Sequence, residues 1–182
     1  FRPMKGATVV SAALDRVLAP GDDEMGWFAQ EGRVPLGYLG DADKTARTFP
    51  VIGGIRYAVP GDRARFREDG TIDVLGRDSV TINSGGEKIF AEEVEHAIKL
   101  HDEVFDAVVC GRPSERWGQE VVAIVCRKPG SSLSSEALKA QCEQHLARYK
   151  CPKAFVFKDE IVRSPSGKAD YRWAKAVATG ES

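Results

Sequence analysis

The sequence predicts an α+β fold in two parts, an antiparallel, barrel-like β subdomain followed by a small domain whose sheet is flanked by helices. Three observations carry this. Two hairpin signals, Gly53-Gly54 and Asp69-Gly70, each sit between short strand-like runs in the first half. Beyond Gly76-Arg77-Asp78-Ser79 the pattern changes to strands alternating with helices. Hydrophobic residues make up 42% and charged residues 29% of the 182-residue chain, enough apolar material to fold and too much for a disordered tail.

Taken in order, the stretch from Gly32 to Phe49 reads as a charged loop containing Gly37 and Gly40. Val51-Ile52 and Ile55-Arg56-Tyr57 form the first hairpin, and Ala64–Arg67 with Thr71–Leu75 the second. Val80-Thr81-Ile82 reads as a short strand and Ser84-Gly85-Gly86 as a turn. A helix is expected from about Ala91 to Leu100, with Glu92, Glu93 and Glu95 near its positive end and Val94, Ala97, Ile98 and His101 on one face. Val104–Cys110 is a strand, followed by a turn at Pro113, and Val121–Cys126 is the next. Ser134 is a good N-cap, with Leu133 and Leu138 spaced as a hydrophobic staple, for a helix reaching about Leu146. Ala154–Phe157 is a short strand, and Tyr171–Val177 a last helix. The composition shift divides the chain into residues 1–77 and 78–182, joined by a short hinge near 78–79.

Charge excludes some functions. Lys and Arg number 26 against 27 Asp and Glu, a net charge of −1, so no global field favours nucleic acid or an acidic membrane. No apolar run is long enough to span a bilayer. Cys110, Cys126, Cys142 and Cys151 form no C-x-x-C pair, and His96, His101 and His145 complete no zinc pattern, so no metal site is expected. Reduced thiols and a cytoplasmic location, possibly peripheral to a membrane, fit best. The opening Phe1-Arg2-Pro3-Met4-Lys5 has no initiator Met at position 1 and no signal-peptide pattern, so a piece of a longer chain is expected.

Four loops concentrate Gly and charge: Tyr57–Asp62, Gly76–Ser79, Ser84–Lys88 and Ser164–Lys168. Singly, each is equally a turn or a solvated charge. Gly167-Lys168 is not a Walker A loop, because Val162 stands where the earlier Gly is needed and Ala169 where Ser or Thr is needed. No G-x-G-x-x-G, G-x-S-x-G or H-E-x-x-H is present. Between Leu146 and Lys175 eight Lys and Arg face three acids, a surplus compatible with a phosphate-bearing ligand or with a solvated basic face.

The order of these segments is more specific than any one of them. It runs Gly37-Tyr38-Leu39-Gly40-Asp41 with Lys44-Thr45, then Gly61-Asp62, Gly76-Arg77, Ser84-Gly85-Gly86-Glu87-Lys88-Ile89 with Glu93-Val94-Glu95, Arg116–Val121, Tyr149–Lys153 and Pro165-Ser166-Gly167-Lys168. From about Gly21 to Arg172 this resembles the carboxyl-terminal part of the adenylate-forming superfamily, which includes acyl-CoA synthetases, adenylation domains of nonribosomal peptide synthetases and beetle luciferases. The wording Ile82-Asn83-Ser84-Gly85-Gly86-Glu87-Lys88 is most like the actinobacterial fatty acyl-CoA ligases.

The resemblance implies the last β-rich subdomain of a large domain followed by a small, mobile lid domain. It implies a carboxylic acid activated by ATP/Mg²⁺ to an acyl-adenylate and then passed to coenzyme A, with Lys168 as the catalytic cation. Asp62 and Arg77 would hold the nucleotide ribose. Gly85, Gly86, Glu87 and Lys88 would line the pantetheine passage. Asp78 and Ser79 would form the hinge, although the family usually carries Asp or Lys where Ser79 stands. The loop that grips the ATP phosphates and the acyl pocket are expected upstream. An adenylation domain loading a carrier protein, or a non-catalytic binding module of the same fold, are the alternatives.

Overall fold

The structure, a computed structural model, describes residues 2–181. These divide into two compact units, one ending at Ser79 and the other beginning at Val80. The first unit holds strands β1 (Ala7–Val10), β2 (Gly26–Glu31), β3 (Val51–Ile52), β4 (Ile55–Ala58), β5 (Asp62–Phe66) and β6 (Ile72–Arg77), with one short helix, α1 (Ala42–Thr48). Its antiparallel sheet runs β3-β4-β2-β5-β6, with β1 on the other edge of β2. Successive side chains of a strand point to opposite faces. Val10 therefore packs with Ala29, Ile52, Tyr57 and Val59, and Val9 packs with Leu18, Ala64 and Ile72 on the other side.

The second unit contains β7 (Ile82–Ser84), β8 (Glu87–Ile89), α2 (Ala91–Lys99), β9 (Val104–Ser114), β10 (Gly118–Arg127), α3 (Ser135–His145), β11 (Ala154–Phe157) and α4 (Tyr171–Thr179). The long β9–β10 hairpin is its spine, β11 runs parallel to β10, and the β7–β8 hairpin meets the start of β10. Both faces of the spine are covered, which explains its unbroken apolar runs. Ala107, Val109, Val121, Ala123 and Val125 face Val94 and Ile98 of α2 and Leu138 and Cys142 of α3. Val108, Cys110, Val122 and Ile124 face Ala174, Val177 and Ala178 of α4. Ser134 caps α3 by accepting from the Ala137 N–H at 3.2 Å, and Leu133 and Leu138 are both buried. One buried Leu contributes about 1.5–3 kcal/mol, against about 1 kcal/mol for a cap, so packing holds α3 more firmly than capping does.

Several expectations need correcting. Residues 42–48 are helical, not loop: Asp41 caps α1 by accepting from the Lys44 N–H at 2.9 Å. The helix buries no residue, so it has no apolar stripe to betray it. Strands β1, β2 and β8 were not anticipated. Val80 closes a tight 3₁₀ turn (Asp78–Val80), and the strand begins only at Ile82, where pairing with Ile89 starts. Pro113 does not turn the chain: it lies within β9, opposite Gln119, at an edge where a missing N–H is tolerated. His101 falls beyond the end of α2, its Nδ1 accepting from the Glu103 N–H.

All four cysteines are buried and unpaired. Burial pushes the Cys110 thiol up to about 11 and the Cys142 thiol up to about 12. Near neutral pH neither is a thiolate, the reactive form. A thiol-reactive chromophore at pH 8 should therefore label almost none of the four in the native chain and all four after denaturation. Rapid labelling of the native chain would contradict this burial. No described helix is long and apolar enough to cross a membrane.

Candidate functional site

In the first unit the pairing of β5 with β6 sets Asp62 directly opposite Arg77. Arg77 Nε lies 3.4 Å from Asp62 Oδ1, and both side chains retain contact with solvent. The neighbouring pair is tighter. Arg63 Nε donates to Asp78 Oδ1 at 2.8 Å, and the Arg63 guanidinium lies 3.8 Å from the centre of the Trp27 ring. The Arg63 side chain is only 11% exposed, so this contact is better shielded from water than an ordinary surface ion pair. The Asp78 N–H also donates to the Gly61 carbonyl at 3.1 Å. Asp78 is thus fastened to the first unit at backbone and side chain, and Ser79 is the last residue of that unit.

In the second unit Gly85 and Gly86 form the two-residue turn of the β7–β8 hairpin, with φ of 59° and 87°. Both values lie in the left-handed region that a tight hairpin turn demands and glycine adopts freely. Trp117 covers the first of them. A Cβ on Gly85 would lie 2.9 Å from Trp117 Cε3, and the Gly85 N–H donates to the Trp117 carbonyl at 2.9 Å. The Arg116 guanidinium lies over the Trp117 ring, 4.6 Å from its centre. Glu87 and Lys88 follow in β8, both exposed. Trp117 therefore belongs with the Gly85-Gly86 turn, a contact that 31 intervening residues hide in the sequence.

Lys168 is exposed and sits at the end of a closed turn. The Gly167 N–H donates to the Ser164 carbonyl, the Ser164 N–H to the Lys168 carbonyl (both 2.8 Å), and the Lys168 N–H to Ser164 Oγ at 3.2 Å. Arg163, immediately before the turn, reaches Asp106 of β9 in a two-pronged contact, Nε to Oδ2 at 2.8 Å and Nη2 to Oδ1 at 2.7 Å. Its Nη1 donates to the Gly167 carbonyl at 3.0 Å. Lys99 lies 3.1 Å from the same carboxylate. Burial pushes the Asp106 carboxyl up, but hydrogen bonds from Arg163, Lys99 and the Ala107 N–H outweigh it and hold it below the usual aspartate range.

After the turn, Tyr171 Oη lies 3.3 Å from Glu95 Oε1, which also accepts from the Val109 N–H at 2.9 Å. Glu95 is 8% exposed, and its burial raises the carboxyl above the ordinary glutamate range, against the opposing pull of the Val109 N–H and the Lys99 charge. Glu95 and Lys99 are four residues apart on α2, hence on one face.

The Lys168 turn and the Gly85-Gly86 turn are fastened to opposite ends of the β9–β10 hairpin. Asp106 stands opposite Cys126, whereas Ser84 pairs with Gly118. Eight residues of β10 separate these points, about 26 Å along an extended strand. Arg163 and Asp106 were not singled out as site residues in the sequence; Glu95 and Trp117 stand in the ordered motifs, but the contacts of Glu95 with Tyr171 and of Trp117 with the Gly85-Gly86 turn were not foreseen. A signal for Asp106 and Glu95 was present, since an acid inside an apolar strand or helix face is seldom buried without a partner.

A model of the AMP-binding enzyme C-terminal domain matches residues 93–168. Residues 93–168, within the second unit, are thus similar to that domain. Medium-chain acyl-CoA ligase Mig of Mycobacterium avium is 64% identical over 170 residues, 93% of this chain and 31% of that protein. The medium/long-chain-fatty-acid–CoA/3-oxocholest-4-en-26-oate–CoA ligase of Mycobacterium tuberculosis (strain H37Rv) is 52% identical over 156 residues, 86% of this chain and 28% of that protein. The chain thus spans about a third of the length of these curated relatives. Among solved structures, o-succinylbenzoate CoA synthetase (MenE) from Bacillus subtilis, in complex with its acyl-adenylate intermediate, is similar with a TM-score of 0.78 and 28% identity over 92% of this chain and 33% of that one. The amide bond synthetase McbA from Marinactinospora thermotolerans has a TM-score of 0.83 and 27% identity over 98% of this chain and 35% of that one. The similarity to all four extends well beyond the AMP-binding C-terminal domain into the first unit.

Proposed function

We propose that these residues are the carboxyl-terminal part of an AMP-forming fatty acyl-CoA ligase. The observation that carries this reading is the 64% identity to a medium-chain acyl-CoA ligase, over a span that must include both units. The resemblance to a ligase named for a sterol-derived acid keeps that acid beside fatty acids as a candidate substrate.

In the first step a carboxylate attacks the α-phosphate of ATP, giving acyl-adenylate and pyrophosphate. In the second the thiol of coenzyme A attacks the acyl carbon and AMP leaves. Both steps depend on positioning and on offsetting charge. Asp62 accepts hydrogen bonds from the two ribose hydroxyls, and Arg77, facing it across the ladder, fixes its orientation and holds the same sugar. Lys168 brings a compact positive charge to the carboxylate as it approaches the phosphates. The Gly85-Gly86 turn offers the pantetheine arm a passage without side chains. Among the described residues no three His, Cys, Asp or Glu side chains gather as a metal cage requires. Mg²⁺ arriving with ATP is held mostly by the phosphates, with one or two carboxylates, and no step here is routed through it.

Lys168 and the Gly85-Gly86 turn are fastened about 26 Å apart along β10, so one placement of the small domain cannot serve both steps. Rotation between the steps resolves this. Of the two hinge candidates, Asp78 is tied to Arg63 and Gly61, which favours a pivot at Ser79 and the residues that follow.

The test is acid-dependent pyrophosphate release by the full-length protein over medium-chain, long-chain and sterol-derived acids, followed by detection of the CoA thioester. Adenylate formed without CoA transfer would favour a carrier-protein acceptor. These 182 residues alone should form no acyl-adenylate, since they supply contacts to ribose and carboxylate but no loop to grip a triphosphate. Acid-dependent pyrophosphate release by the purified fragment would show that the active site has been misplaced.

A further inference from the structure

Arg163 is joined at once to the frame of the small domain and to the turn that carries Lys168. Two of its nitrogens grip Asp106 on β9, and the third donates to the carbonyl of Gly167, the residue before Lys168. Asp106 is in turn fixed by Lys99 of α2 and by the Ala107 N–H. We propose that Arg163 is a positioning residue for Lys168: its guanidinium is a bracket that sets the direction in which the lysine turn projects from the β9 edge. This rests on the reading of Lys168 as the cation of the adenylation step.

Hydrogen bonds within residues 164–168 close the turn but do not aim it. They are all internal to the loop, and the Arg163–Ala169 bridge with the Asp170 N–H to Val162 carbonyl bond (3.1 Å) joins its two stems to each other, so none of these bonds ties the turn to β9. A long lysine on a turn not tied to β9 covers many positions, and a small displacement of a catalytic group costs rate steeply. The planar fork of Arg163 removes that freedom, because two parallel bonds to one carboxylate resist rotation. The third bond passes the constraint to the backbone at Gly167. A lysine at position 163 would keep the charge but has a single nitrogen, which cannot hold a carboxylate at two points and a carbonyl as well. On the far side of the turn, Tyr171 touches Glu95 beside β9, so both ends of the loop return to one strand and to the α2 face that supports it.

The experiment compares the two half-reactions in the full-length ligase. Arg163→Ala should lower kcat for acid-dependent pyrophosphate exchange about 10²-fold, the cost of a misplaced catalytic group. KM for ATP should stay within about twofold, and so should thioester formation from supplied acyl-adenylate. Asp106→Asn should show the same split, more weakly. Arg163→Lys should recover little of the loss, whereas a site needing only positive charge would be rescued. In a Lys168→Ala background, Arg163→Ala should add no further loss, because it acts through that lysine. If Arg163→Ala proves unfolded by circular dichroism, Asp106→Asn and Arg163→Lys carry the same comparison. Wild-type exchange by Arg163→Ala, equal losses in both half-reactions, full rescue by lysine, or losses that multiply with Lys168→Ala would each overturn the proposal. Wild-type exchange by Lys168→Ala would overturn it together with the reading on which it rests. A lost exchange in Lys168→Ala beside a wild-type Arg163→Ala would overturn the positioning role alone.

Discussion

On the proposed function, Lys168→Ala in the full-length protein should reduce acyl-adenylate formation about 10³-fold while leaving thioester formation from supplied acyl-adenylate nearly unchanged. The magnitude follows from charge. The first step drives a carboxylate anion onto a polyphosphate, and a cation about 4 Å from that approach is worth about 4 kcal/mol at an effective dielectric near 20. Each 1.36 kcal/mol is about tenfold in rate, so losing the ammonium costs about three decades. This agrees with the roughly 10²–10³-fold loss typical when one group stabilising transition-state charge is removed. The selectivity follows from location. Lys168 lies on a turn fastened at Asp106, near one end of the β9–β10 hairpin, and the glycine turn is fastened at Gly118, near the other. The measurement is isotope exchange between pyrophosphate and ATP, set beside CoA consumption with synthetic acyl-adenylate. Equal losses in the two assays would contradict the assigned role.

Much of the small domain was legible because its signals are local. Ser134 with Leu133 and Leu138 announces the start of α3, and Ala154–Phe157 is a strand bounded as expected. The Gly53-Gly54 and Gly85-Gly86 pairs announce hairpins, because few other residues tolerate those turns. Helix α1 was missed for the converse reason. It packs nothing into a core, so hydrophobic period is silent, and only the cap at Asp41 remained as a clue. Pro113 misled because proline usually breaks a strand, yet at an open edge its missing N–H costs nothing. The candidate site divides in the same way. Asp62, Arg77, Gly85, Gly86 and Lys168 stand in ordered motifs and are proposed from the resemblance alone. The ion pairs and hydrogen bonds around the two units' loops carry no such signal. Arg63 joins Asp78 across 15 residues, Arg163 joins Asp106 across 57, and Tyr171 joins Glu95 across 76. Such pairs exist only once the strands are in register, and no local pattern marks them.

On the same proposed function, Gly86→Leu in the full-length protein should leave pyrophosphate exchange near wild type and reduce CoA-dependent thioester formation about 10²-fold, the scale on which misplaced reactants lose rate. Gly86 is the better probe of the two glycines. Gly85 lies under Trp117, so any side chain there must displace the indole. At Gly86 an added Cβ meets nothing within 4 Å, and the cost lies in the backbone alone, at φ 87°. A non-glycine residue in that region costs about 1–2 kcal/mol, within the roughly 5–15 kcal/mol that keeps a domain folded. Gly86→Ala carries the same backbone penalty with only a methyl group, so the Ala–Leu difference separates strain from obstruction. The alanine variant should retain most of the thioester rate, and the leucine variant should lose it. Thermal melting of both variants checks that they are equally folded. Equal losses from alanine and leucine would assign the effect to the strained turn, and a leucine variant that makes acyl-CoA normally would remove the Gly85-Gly86 turn from the pantetheine route.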